Sequence, residues 1–124
     1  MVDDIVYEIK SKHSRAFWYM DKKKEGASEH NKMQLWAYLW KLEKPEGRLL
    51  YISKDDLAIL EFPVYLDDKK LEKQVKDELR ILNLAWEKKL PPKPIEDKKH
   101  WHYKYCRWHK QCINQKEYLL ITKK

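Results

Sequence analysis

The sequence predicts a small mixed α/β (α+β) domain, a short central mixed sheet flanked by helices. Three observations predict it. An apolar strand pattern stands near the start, from Ile5 to Lys10, and a hairpin pattern runs from Arg48 to Tyr65. Two long stretches of helical periodicity lie between and after them, Ser28 to about Lys44 and Asp67 or Asp68 to about Lys89. At 124 residues the chain is long enough for one modest core and too short for two.

Each element has a local reason. Ile5 to Lys10 is a short buried strand, with Val6 among apolar neighbours and Glu8 and Lys10 at its exit. Ala16-Phe17-Trp18-Tyr19-Met20 reads as a helical turn that packs down, followed by the basic run Lys22-Lys23-Lys24. Ser28 is an N-cap for the next helix, which Pro45 stops. On that helix Met33, Trp36, Ala37 and Trp40 make one apolar face, and Leu35, Leu39 and Leu42 a second.

The hairpin pairs Arg48 to Ser53 with Leu57 to Tyr65 across a turn at Lys54-Asp55-Asp56. The last long helix offers Leu71, Val75, Leu79, Leu82 and Trp86 as its inner face. Leu90-Pro91-Pro92-Lys93-Pro94 ends it as an extended link. The organisation expected is a core over residues 1–90 and a Pro-linked, aromatic, Cys-bearing tail over 91–124 that packs on the same domain.

Apolar residues make up 43% of the chain and charged residues 38%, which argues against a disordered protein. Net charge is +7, an excess that favours polyanions such as nucleic acid or an acidic membrane surface. No apolar run approaches membrane-spanning length, and no membrane partner is expected. Met1-Val2-Asp3-Asp4 does not read as a signal peptide, and two cysteines without such a signal suit a reducing compartment. A cytoplasmic setting is expected, including that of a virus-encoded protein in its host.

Two constellations carry chemistry. Glu8 and Lys10 lie two apart on a strand and therefore share a face. An acid beside an amine at the end of an apolar strand is unusual to bury. It makes sense where the carboxylate holds a divalent metal and the lysine holds a water or a phosphate oxygen. The second constellation is His30, Gln34 and Tyr38, spaced four apart between the two apolar faces of one helix. Taken singly, each has a plain reading as charges or polar groups facing water.

Together the strand Glu8-x-Lys10 and the helix Gln34-x3-Tyr38, with His30 four residues before the glutamine, resemble the RecB-like branch of the PD-(D/E)xK nucleases. The resemblance is nearest to CRISPR-associated RecB-like exonucleases and their phage relatives. It runs from about Asp4 to Cys112, through Gly47-Arg48-Leu49-Leu50-Tyr51-Ile52-Ser53-Lys54 as the next strand. It implies a restriction-endonuclease-like core lacking the family's N-terminal part. It also implies hydrolysis of DNA phosphodiester bonds with Mg2+ or Mn2+, acting as an exonuclease on single-stranded or free-ended DNA. Glu8 would bind the metal, Lys10 would stabilise the attacking water or the scissile phosphate, and Gln34 and Tyr38 would position substrate or water.

The chain departs from the family at two points. The family's upstream metal-binding Asp is not evident, and Asp3, Asp4 and His30 are the nearby substitutes, Asp4 being read on the strand and face of Glu8. A fragment, a homodimer or second chain that completes the site, and a binding module without catalysis are the readings this leaves open. In the tail, Tyr103-x2-Cys106-x5-Cys112 stands where the family holds cysteines for an iron–sulfur cluster. No cluster is expected from two cysteines. Zinc through Cys106, Cys112 and two of His100, His102 and His109 fits by ligand type, but packed, reduced thiols are expected. Trp101, Tyr103, Tyr105 and Trp108 are read as an aromatic mini-core in place of the cluster. Lys22, Lys23, Lys24, Lys104 and Arg107 are the candidate contacts to a phosphate backbone.

Overall fold

The computed structural model describes residues 3–22, 24–90, 99–108 and 110–111. The element order is β1 (Val6–Lys12), α1 (Ser14–Lys22), α2 (Glu29–Leu42), β2 (Glu46–Ser53), β3 (Ile59–Tyr65), α3 (Lys69–Lys88) and α4 (Trp101–Tyr105). It is a small mixed α+β fold. The three strands form one sheet in the order β1-β2-β3, with β1 parallel to β2 and β3 antiparallel to it. The chain divides into two compact units, Met1–Lys76 and Asp77–Lys124, and the division falls inside α3.

In the first unit the core has a simple origin. Gly47, Leu49, Tyr51 and Ser53 alternate with half-exposed residues along β2 and are all buried. Their face carries Val64 of β3 and takes Leu35, Trp36 and Leu39 from α2, Phe17 and Met20 from α1, and Leu71 and Val75 from α3. Gly47 is the point of closest approach. A Cβ there would lie 3.0 Å from three side-chain atoms of Leu35, so glycine lets α2 settle this low on the sheet with Leu35 unmoved.

Among the described residues the buried side-chain polar atoms are paired, except the Gln74 side-chain oxygen on α3. Trp36 donates its ring N–H to the Leu66 carbonyl at 3.0 Å. The Tyr51 hydroxyl accepts from the Asn31 amide at 2.7 Å and from the Ser28 N–H at 3.3 Å. Ser28 does precede α2 as expected, but it makes no side-chain cap; its backbone is already committed to Tyr51. The helix stops at Leu42 because Glu43 turns left-handed, two residues before Pro45. Asp68, rather than Asp67, caps α3, its carboxylate accepting from the N–H groups of Lys70 and Leu71.

Several expected packing faces are corrected. Trp40 and Leu42 are exposed on α2, since the helix buries one broad stripe rather than two. On α3 only Leu71 and Val75 are buried; Leu79, Leu82 and Trp86 are exposed, Trp86 at 85%. Apolar periodicity marks the face a helix offers, and it does not supply what covers that face. In the second unit Trp101, Tyr105 and Trp108 stand exposed instead of forming a mini-core, and the side chain of Tyr103 lies outside the described residues. No helix among the described residues is long and apolar enough to cross a membrane.

Candidate functional site

β1 places Val6, Glu8, Lys10 and Lys12 on the face that α2 covers, because the register sets Glu8 beside Leu49 and Lys10 beside Tyr51, and both partners are buried. Nothing apolar from α2 reaches this margin of the sheet; its polar line does. Lys10 lies 2.8 Å from a Glu8 carboxylate oxygen. The same ammonium donates to the Gln34 side-chain carbonyl at 2.8 Å. Gln34 in turn donates its amide to the Tyr38 hydroxyl at 3.1 Å. Glu8, Lys10, Gln34 and Tyr38 thus form one continuous polar chain from the edge strand across to the helix.

The chain is graded in exposure. Glu8 and Lys10 are partly buried, Gln34 is half-buried and Tyr38 opens to solvent. Such a chain fixes the direction of each donor before any ligand arrives. Lys10 is held from both sides and cannot swing freely, which makes its charge a fixed rather than a roaming one.

His30 does not join this chain. It is exposed two turns before Tyr38, with no hydrogen bond to the four residues. Asp4 is placed differently from expectation. Its φ of 63° puts it in a turn ahead of β1, and its carboxylate pairs with Lys44 at 2.6 Å. The Lys44 hydrogen bond and charge hold that carboxyl below the usual carboxylate range. Asp4 therefore shares neither strand nor face with Glu8, and Asp3, also left-handed, lies in the same turn. Among the described residues no three His, Cys, Asp or Glu side chains gather into a metal-holding group. Glu8 is the one carboxylate in the polar chain it forms with Lys10, Gln34 and Tyr38. That donor set fits a hard cation of the magnesium class held through one carboxylate, waters and a substrate phosphate, not a closed protein cage.

Lys12 is the site residue that the sequence reading missed. It continues the Glu8–Lys10 face, its ammonium lies 5.7 Å from the centre of the buried Tyr51 ring, and it borders a cavity of about 350 Å³. Tyr19, Met20, Glu25, Gly26 and Ser28 are among the other residues that line that cavity. The signal was present in the period-two spacing of Glu8, Lys10 and Lys12. A second cavity of about 610 Å³, bordered by Trp36, Trp40, Pro45, Glu46, Tyr65 and Glu72, shares none of the four chain residues.

The remaining candidates are dispersed. Lys22 pairs with Asp21 at 3.6 Å, Lys24 is exposed in a left-handed turn, and Lys23 lies outside the described residues. Lys104 stands over the Tyr105 ring at 5.4 Å and Arg107 over the Trp108 ring at 4.6 Å, two exposed cation–aromatic pairs in the second unit. Cys106 is exposed and forms no disulfide among the described residues; Cys112, His109 and the His102 side chain lie outside the described residues.

No protein-family model matches this chain, and no curated protein matches it. Among solved structures, the crystal structure of SSO0001 is similar at 30% identity and a TM-score of 0.46, over 87% of this chain and 44% of that one. The chain spans less than half the length of that solved relative.

Proposed function

We propose that this chain carries the site of a metal-dependent nuclease of the RecB-like PD-(D/E)xK type, hydrolysing DNA phosphodiester bonds from single-stranded or free ends. The observation that supports it is the polar chain Glu8–Lys10–Gln34–Tyr38, in which a strand and a helix distant in sequence contribute one contiguous set of donors and one carboxylate.

Hydrolysis forms a bond from a water oxygen to phosphorus and breaks the bond to the leaving sugar oxygen, which takes up a proton. Negative charge grows on the phosphoryl oxygens as this happens. Lys10 presents a fixed ammonium to that charge, and donors that need no reorganisation stabilise it most. Gln34 keeps Lys10 aimed, and Tyr38 offers its hydroxyl at the solvent end to a water or a phosphate oxygen. Lys12 extends the positive margin along the same strand face toward the incoming backbone. Glu8 would hold the divalent cation, which supplies Lewis-acid polarisation of the phosphate and an activated water.

The test is degradation of end-labelled single-stranded and duplex DNA with manganese or magnesium, comparing the native chain with Lys10→Ala. Removing one such fixed donor is expected to lower the rate by about 10²–10³. Equal rates for the two folded proteins would sink the assignment.

A second reading has one observation in its favour: among the described residues no three His, Cys, Asp or Glu side chains gather to hold a metal. It holds that the chain binds nucleic acid or a protein partner and does not cut. Salt-sensitive DNA binding by a folded native chain that cleaves nothing under either metal would establish it.

A further inference from the structure

β1 and β2 run parallel, so their carboxyl ends open at the same end of the sheet, where the ligands of parallel strands collect. Lys12 is the last residue of β1, and its carbonyl accepts from the N–H of Lys54, just past β2, at 2.9 Å. The chain then turns at once into α1 and returns through residues 25–28 to α2. The cavity of about 350 Å³ lies at this end. Lys12 borders it from β1, Ala16 and Tyr19 from α1, and Glu25 and Ser28 from the segment ahead of α2.

The lining is chemically mixed, and the mixture selects a ligand. The Lys12 ammonium is held over the buried Tyr51 ring, 5.7 Å from its centre. It follows Lys10 on the same strand face, about 6.7 Å further along, a step on the scale of one nucleotide. Tyr19 is 36% exposed, and Trp18 meets it edge to face at 5.2 Å, which orients the ring. The Ser28 hydroxyl makes no cap bond to α2. Glu25 adds a carboxylate that can accept from the amino group of a base.

An ammonium for a phosphate, an aromatic face for a base and an acceptor for its amino group together complement one nucleotide. The volume lies near the lower end of the about 300–1,000 Å³ of small-ligand sites, which gives room for one nucleotide and not for a run of them. Glu25 also repels a further phosphate, so a strand that reaches past Lys12 ends there. The cavity of about 610 Å³ has the opposite character. There Glu46, Asp67 and Glu72 set three carboxylates against the one ammonium of Lys69, a poor setting for a polyanion.

We propose that the cavity beside Lys12 is an end-binding subsite, which takes the terminal nucleotide of a DNA strand with its phosphate at Lys12 and its base on Tyr19. It deepens the nuclease reading and rests on it for the course of the strand past Lys10. It gives that reading a physical basis for acting at free ends: an internal stretch of strand has no terminal nucleotide to place there.

Binding measured in EDTA tests the subsite without any cleavage. The probes are a labelled, 5′-phosphorylated single strand and the circle closed from the same strand, and the readout is the ratio of their two affinities. The native chain is expected to favour the linear form about tenfold, the scale of one base stacked on an aromatic ring. Ala16→Trp fills the cavity from α1 and removes no donor; it is expected to bring the ratio close to one. Tyr19→Ala is expected to do the same, and decides the matter if Ala16→Trp fails to fold by circular dichroism. Equal affinities for line and circle in the native chain, or a preference that persists in the folded variants, would overturn the proposal. So would binding of a free deoxynucleoside monophosphate that Ala16→Trp blocks, with no preference of the strand for its ends, since the cavity would then be a mononucleotide site. An end preference that follows the expected pattern in a chain that cuts nothing under manganese or magnesium supports the subsite and removes the nuclease reading.

Discussion

Tyr51 shows how one buried hydroxyl ties the site to the core. Its ring is fully buried against Phe62, its face carries the Lys12 ammonium, and its oxygen accepts from Asn31 and Ser28 at the start of α2. Tyr51→Phe keeps the packing and leaves two donors without their acceptor. The expected cost is about 1–3 kcal/mol, read as a lowered midpoint in urea unfolding with an unchanged slope; an unchanged midpoint would show that water replaces the hydroxyl at no cost. At this scale much of the site was legible. Glu8 and Lys10 follow from period two and Gln34 and Tyr38 from a spacing of four, and the structure joins them. Period two put Lys12 on the face of Glu8 and Lys10 but did not show its contact, because a lysine at a strand's exit has the same sequence appearance whether it meets water or a tyrosine ring. Asp4 was misplaced because a left-handed φ at a non-glycine residue leaves no mark in composition.

Two elements set the distances on which the site depends. The contact of Leu35 with Gly47 fixes how low α2 rides, and Gln34, the preceding residue, meets Lys10 from that height. Gly47→Ala puts a methyl 3.0 Å from three side-chain atoms of the fully buried Leu35. About 1–3 kcal/mol of overpacking strain is expected, together with a loss of cleavage larger than the loss of folded protein, measured on the same sample. If activity falls only in step with the folded fraction, the height of α2 does not govern the site.

At the start of α3, Glu72 accepts from Lys76 at 2.7 Å and Lys69 at 2.9 Å. The Lys76 and Lys69 hydrogen bonds hold its carboxyl down at about 2, against an ordinary 4.5. A depressed carboxyl stabilises the fold above its unfolded value and loses that contribution as pH falls through the folded one. The difference in thermal midpoint between the native chain and Glu72→Gln is therefore expected at neutral pH, to shrink below about 4.5, and to vanish near 2. A difference independent of pH would point to packing instead. The helices themselves were readable from apolar spacing and from Asp68, but not the extent of their burial. Leu82 and Trp86 keep the period of a buried face while standing exposed.

For the whole molecule, the charge of +7 sets the expected response to salt. Binding to single-stranded DNA should weaken linearly in log salt, and Lys12→Ala should reduce that slope by about 0.7, the value for one phosphate contact. An unchanged slope would remove Lys12 from the interface. The fold class was legible because a strand, a hairpin and two amphipathic helices leave few ways to bury one apolar face.

The sheet also implies an order of assembly. β2 and β3 are joined by a short turn and pair antiparallel, whereas β1 is parallel to β2 and reaches it only after the chain has passed through both α1 and α2. Closing the longer excursion costs more chain entropy before any contact repays it. Pulse-labelled hydrogen exchange during refolding should protect the β2 and β3 amides before those of β1, and simultaneous protection would contradict this order. A chain caught before that last step has its hairpin and its helices, but its Gln34 faces no lysine. On the proposed reading, cleavage is expected to appear during refolding no sooner than protection of the β1 amides.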